Sequence, residues 1–315
     1  MALASCDPPR YPLILNPKAK GEKARAVFRF VLEHSTRFAI YATRSRQEAI
    51  DLARTFAAEG EPLVVAAGGD GTLNAVVEGL AKSETSLGVL PTGTMNVFAR
   101  EMGIPWNTLP EALAVIDGGH RKGIDVFTMN LSPFLQMAGV GFDAYVIEGT
   151  TWESKKRFGP LSYLMTAAKM LPKDPPILQV RTAEGAEDEG VFALVGNGAL
   201  YGGQFRLFQT ASNNDQLLDV ILFKEAGLSL LQASLAGLAR GGIGMDFPDG
   251  SVTYFKTGSL EILADREVPA EIDGDLWGRA KEFSFRREER ALQVCAPETV
   301  TEPNIFRYLR GFTPW

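Results

Sequence analysis

A chain of 315 residues, 45% hydrophobic and 22% charged, carries enough apolar material for a sizeable core, and its length suggests two domains. The formal net charge of −6, with a pI of about 5.2, counts against a general nucleic-acid binder, which presents a basic face. Two cysteines, Cys6 and Cys295, form neither a CxxC pair nor a disulfide framework, so a reducing cytoplasm is the expected setting. There is no basic-then-apolar leader and no run of about 18 apolar residues, so any meeting with lipid is expected at the membrane surface.

In chain order, Leu13-Ile14-Leu15 is a short strand signal closed by Asn16-Pro17. Ala24, Val27, Phe28 and Val31 follow at helical spacing, then a strand signal over residues 38–41 and a helical face of Ala49, Leu52, Ala53 and Phe56. Leu63-Val64-Val65-Ala66-Ala67 reads as a buried strand running straight into a glycine loop, followed by a helix over 73–80, a strand over 87–90, a second glycine loop and another helix. This alternation predicts a parallel sheet with helices on both faces. After about Asp125 short β runs dominate: 134–140, 177–181, 191–195, 219–223, 252–255, 260–263, 283–286 and 292–295. Gly and Asn/Asp turns separate them, with helical insertions at 161–171 and 228–240 and an acidic hairpin tip at 183–190. The expectation is an α/β domain over 1–125, a mostly antiparallel β-sandwich over 126–295, and a C-terminal segment, 296–315, packing back on the first domain.

The strongest chemical signal is Gly68-Gly69-Asp70-Gly71-Thr72-Leu73-Asn74, set between a buried strand and a helix. Glycines let the backbone approach a ligand closely, and the amides of the turn and the helix N-terminus favour phosphate. Asp70 would repel a bare phosphate, and becomes reasonable with Mg²⁺ between them. The competing interpretation is a plain turn with Asp and Thr capping the helix. Pro91-Thr92-Gly93-Thr94-Met95-Asn96 repeats the strand–loop–helix arrangement. In a parallel sheet both loops lie at the carboxyl edge, so a triphosphate site becomes plausible. GxxxxGK[ST], a GxGxxG after the first strand, and the protein-kinase HRD and DFG elements are all absent. With only His34 and His120, histidine-based zinc or triad chemistry is disfavoured.

Asn16-Pro17, the 68–74 loop and PTGTMNVFARE at 91–101 resemble the diacylglycerol kinase catalytic family, which includes bacterial lipid kinases and sphingosine kinases. The resemblance continues through Gly123-Ile124-Asp125-Val126, residues 138–144, residues 214–220 and Asp273-Gly274-Asp275, in order along the chain. It implies an α/β nucleotide domain, a β-sandwich, ATP as donor and Mg²⁺ as cofactor. Asn16, Thr43, the residues Gly68, Gly69, Asp70, Gly71, Thr72 and Asn74, and Thr94 with Asn96 would form the ATP site. Asp273 would be the catalytic base; taken alone, Asp-Gly is also a favoured hairpin turn. Asp275 stands where the family has Glu, and Asp125 would join Asp70 in a metal–water network. A structural Mg²⁺ site is implied at Asp215 with the carbonyls of Ser212 and Leu217, although Asn214 and Gln216 replace the usual acid and glycine of that turn. The implied partner is a lipid substrate, met peripherally on the inner membrane face, with no nucleic acid; a homodimer is compatible with this. Trp152, the basic cluster at 155–157 and Phe158, ahead of an apolar helix, suit an anionic membrane surface or, equally, a solvated turn before a core helix. An NAD kinase-like enzyme and a non-catalytic nucleotide- or lipid-binding protein remain the alternatives.

Overall fold

The computed structural model describes residues 10–17, 22–141, 144, 174–203, 205–226, 232–233, 236–237, 240–247 and 250–298. The 152–171 segment, Asp143, most of 228–240 and the tail after 298 lie outside the described residues. The chain divides into two compact units: Met1–Gly123 together with the segment from Leu292 onward, and Ile124–Ala291.

In the first unit, strands and helices alternate: β1 (Tyr11–Leu15), α1 (Glu22–Glu33), β2 (Phe38–Ala42), α2 (Arg46–Ala58), β3 (Leu63–Gly68), α3 (Asp70–Leu80), β4 (Ser86–Pro91), α4 (Val97–Glu101), α5 (Leu109–Asp117) and β5 (Arg121–Ile124). Strands β1 to β4 pair in parallel in the spatial order β2-β1-β3-β4. The continuous apolar runs of β3 and β4 are buried, as a sheet covered on both faces requires. Helix α2 starts at Ser45, whose hydroxyl accepts the Glu48 amide at 3.2 Å, while the Glu48 carboxylate accepts the Arg44 amide at 2.7 Å. Its buried face is Ala49, Ile50, Ala53 and Phe56. It packs tightly on α3: a Cβ added at Gly79 would lie 2.5 Å from the Ala53 Cβ.

The second unit contains β6 (Phe127–Met129), β7 (Ser132–Phe134), β8 (Met137–Val140), β9 (Leu178–Thr182), β10 (Glu187–Gly190), β11 (Phe192–Gly196), β12 (Leu200–Tyr201), β13 (Phe205–Arg206), β14 (Leu218–Phe223), β15 (Val252–Thr257), β16 (Leu260–Ile272) and β17 (Asp275–Arg287). The main sheet runs β15-β14-β11-β8-β16-β17-β6-β7, with every registered pair antiparallel. Strand β16 turns the sheet into a sandwich. Its first half pairs with β9 and its last residues with β8, with a register shift between Leu263 and Val268. In β8, β11 and β14, alternate side chains enter two separate cores. One contains Ala138, Val195 and Val220, and the other Met137, Leu194 and Ile221. Burial on both faces removes the polar alternation, which is why these strands read as unbroken apolar runs.

Two sequence expectations change. The run at 134–140 is not one strand: β7 ends at Phe134 and β8 begins at Met137. The last strand, β18 (Leu292–Cys295), expected in the sandwich, instead pairs in parallel with β4 and lies between β4 and β5 in the first unit's sheet. The return to the first unit therefore begins at Leu292, not 296, and a four-residue apolar run cannot signal which of two sheets it will join.

Candidate active site

The first unit gathers Asn16, Thr43, residues 68–72 and residues 92–96 immediately after β1, β2, β3 and β4, all on the carboxyl edge of one parallel sheet. The chain leaves β1 toward β2 on one side and β3 on the other, so the crevice between β1 and β3 is a topological switch point, where open α/β sheets bind ligands. The Asn16 side chain crosses it, donating to the Thr72 hydroxyl at 3.3 Å. The two glycine loops touch. A Cβ on Gly93 would sit 2.6 Å from the Gly69 Cα, and the Thr92 amide donates to the Gly68 carbonyl at 2.9 Å.

Within this edge the polar side chains divide into two groups. Asn96, with φ of +48°, folds over its own loop: its Oδ1 accepts the Gly93 amide at 2.9 Å, and its Nδ2 donates to the Gly93 carbonyl at 3.0 Å. Asp70 lies at the start of α3, and its Oδ1 accepts the Phe98 amide at 3.2 Å at the N-terminus of α4. Burial pushes the Asp70 carboxyl above its ordinary value, and the amides of Val97 and Phe98 oppose this. Asp70 therefore ties one loop's helix to the other's. Thr43 is buried, its hydroxyl on the Leu15 carbonyl at 3.3 Å, and Asn74 is buried along α3. Gly71 and Thr94 are exposed. Arg100 and Trp106, not anticipated from the sequence, brace the second loop. The Arg100 guanidinium donates to the Met95 carbonyl at 2.7 Å and lies 3.5 Å over the indole.

In the second unit, Asp273 and Gly274 form the turn between β16 and β17, with φ of +49° and +85°. This is the Asp-Gly hairpin geometry the sequence offered as the competing interpretation. The side chain does more than a turn requires. Its Oδ2 accepts the Leu135 amide at 2.9 Å, and its Oδ1 accepts those of Gln136 and Met137 at 2.9 and 3.0 Å. The break between β7 and β8 supplies those amides, so three consecutive N–H groups fix the carboxylate plane. Asp125, buried, accepts the Gln216 amide at 2.8 Å, and Arg287 lies 3.7 Å from its other oxygen. The fully buried Asn197, also missed, ties together the backbones around the two acids: its Nδ2 donates to the main-chain carbonyls of Asp125 and of Leu135, the residue whose amide bonds Asp273, each at 2.9 Å. Glu271, buried, accepts the Gly274 amide at 2.7 Å beneath the turn. Asp275 is exposed at the start of β17, outside this network.

The turn implied as a metal site is held differently. Asp215 Oδ1 accepts the Leu217 amide at 3.1 Å, and its Oδ2 accepts the Lys256 ammonium at 2.7 Å. The Ser212 hydroxyl donates to Asn214 at 2.7 Å. With both Asp215 oxygens engaged and an ammonium at the carboxylate, this donor set does not fit a divalent ion.

Residues 10–129 match the model of the diacylglycerol kinase catalytic domain, and residues 136–296 that of the YegS C-terminal NAD kinase beta sandwich-like domain. A Pseudomonas aeruginosa protein named "Probable lipid kinase YegS-like" is 33% identical over 90% of this chain and 93% of its own length. The chain belongs to the diacylglycerol kinase and YegS-like lipid kinase family. A diacylglycerol kinase of Bacillus subtilis is 29% identical over 83% of this chain and 86% of its own length. The crystal structure of a diacylglycerol kinase from Bacillus anthracis superposes with a TM-score of 0.70 over 93% of this chain and 98% of that one; at 22% identity this likeness concerns the fold. For this family member, the α/β and antiparallel β-sandwich architecture expected from the sequence is the one observed.

Proposed function

We propose that the protein transfers the γ-phosphoryl group of ATP to the hydroxyl of a lipid alcohol. The observation that carries this reading is the alignment of four loops, at Asn16, Thr43, 68–72 and 92–96, on the carboxyl ends of four adjacent parallel strands. Close glycine backbones and the N-terminus of α3 suit a polyphosphate there. The names of the relatives supply the lipid acceptor. Among the described residues no group of three or more His, Cys, Asp or Glu side chains is assembled for a resident ion. In this reading Mg²⁺ arrives with ATP, as part of the substrate, where it would neutralise phosphate charge.

In the proposed reaction the acceptor hydroxyl attacks the γ-phosphorus in line with the departing ADP oxygen. Its proton goes to the Asp273 carboxylate as the new P–O bond forms. The three amides from 135–137 orient that carboxylate before substrate arrives, so little reorganisation accompanies the proton transfer. Asp125, through Asn197, belongs to the same scaffold. The acceptor is met peripherally at a membrane surface from the cytoplasmic side; among the described residues no helix is long and apolar enough to cross a membrane. The test is incubation with ATP, Mg²⁺ and a total lipid extract, with NAD alongside, and mass spectrometry of the products. A phosphorylated lipid is the expected product. Phosphorylated NAD alone, or ATP binding with no phosphorylated product, would refute the reading.

A further inference from the structure

The 210–219 segment carries two carboxylates close together, those of Asp215 and the fully buried Asp219, beneath a turn in which Gln216 adopts φ of +64°. Such an arrangement calls for a cation, and the neighbouring strand supplies one. Lys256 on β15 directs its ammonium at three oxygens: Asp215 Oδ2 at 2.7 Å, the Thr210 carbonyl at 3.0 Å and Asp219 Oδ2 at 3.4 Å. Two of the ammonium's N–H donors have hydrogen-bond acceptors, Asp215 Oδ2 and the Thr210 carbonyl, and the buried Asp219 Oδ2 lies within ion-pair reach. The other Asp219 oxygen accepts the Tyr254 hydroxyl and, at 3.3 Å, that of Thr210. Registry explains the geometry: Asp219 and Lys256 are directly paired across β14 and β15.

We propose that Lys256 is the resident cation of this turn, doing the work of a structural divalent ion, so that the second unit holds its shape without metal. Burial alone would lower the Lys256 ammonium, but the Asp215 hydrogen bond and the Asp219 charge outweigh it and hold it above its ordinary value. Burial likewise pushes the Tyr254 hydroxyl up, and its bond to Asp219 adds to this, keeping it a donor. The consequence reaches the candidate site, because the Gln216 amide in this turn donates to Asp125.

The test is thermal melting of the full chain without nucleotide, in excess EDTA and in millimolar MgCl₂ or CaCl₂, and it is independent of catalytic activity. The wild type is expected to melt at the same temperature in all three. Lys256→Met keeps the apolar stem and removes the charge. It should melt roughly 4–8 °C lower in EDTA, and divalent ions should restore much of the loss because Asp215 and Asp219 are then unpaired. Lys256→Arg, which retains a cation, should stay insensitive to metal even if Lys256→Met fails to fold. The proposal is overturned if chelation lowers the wild-type melting temperature and Asp215→Asn abolishes the recovery with Mg²⁺. It is equally overturned if Lys256→Met melts like the wild type in EDTA.

Discussion

The carboxyl edge of the first sheet and the Asp273 hairpin of the second unit are built from opposite materials. The first is backbone brought close by absent side chains: Gly68, Gly69 and Gly93 make room, and Asn96 and Asp70 hold the loops from within. The second is one side chain held by backbone from 136–138 residues away in sequence. Glycine loops depend on local chain geometry and announce themselves as motifs. A carboxylate clamped by a distant strand break leaves only a two-residue turn signal.

Substitutions can separate these two modes. The largest effect is expected from Asp273→Asn. Turnover should fall about 10²–10⁴-fold if the carboxylate takes the acceptor's proton. Its amide nitrogen would also face one of the three N–H donors, so melting should drop by a few degrees. Full turnover in a folded Asp273→Asn protein would remove Asp273 from the mechanism. Next comes Gly93→Ala, whose Cβ would lie 2.6 Å from the Gly69 Cα. Spreading the loops should raise KM for ATP about tenfold or more and cost about 1–3 kcal/mol of stability, read from steady-state kinetics and melting. Gly79→Ala is the control for packing alone. Its Cβ would meet Ala53 and the Ile50 carbonyl at 2.5 Å, so a similar loss of stability should come with an unchanged KM for ATP.

The smallest effect concerns pH. The Asp70 carboxyl is raised above its unfolded value near 3.8 by burial, so below that value both states are protonated and burial costs nothing. As pH rises through the folded value, the folded state must hold a buried charge, and stability at this position declines. Asp70→Asn, which keeps an oxygen for the Phe98 amide, should flatten that decline. Melting temperatures measured across the acid range and up to neutrality would check it; an unchanged slope would mean that Asp70 is not the group responsible.

The alternation of strands and helices up to Asp125 and the paired loops were readable because periodicity and glycine placement are local. The roles inside the loops were less so: Asn96 and Asp70 read as ligand-facing residues, and geometry also gives each a backbone to hold. Asn197 had no signal of its own, since its partners Asp125 and Leu135 lie 72 and 62 residues away. Arg100, Trp106 and Glu271 act on near neighbours, but a single Arg, Trp or Glu does not announce which backbone group or ring it will meet. Glu271 offered the nearest hint, an acid inside the apolar run Val268-Pro269-Ala270-Glu271-Ile272. The turn at Asp215 is a related case: the resemblance implied an ion there, and only the cross-strand registry brings Lys256 to it.

The return of β18 to the first sheet has a consequence for biosynthesis. β4 leaves the ribosome about 200 residues before β18 does, so one edge of its sheet lacks its neighbour until the second unit has been made. At ordinary elongation rates that wait is on the order of tens of seconds. An open parallel edge of buried, apolar strand is prone to pair with other chains. The sandwich, continuous in sequence, has no such wait, so the nascent chain is expected to complete its second unit first and to be most vulnerable to aggregation in its first.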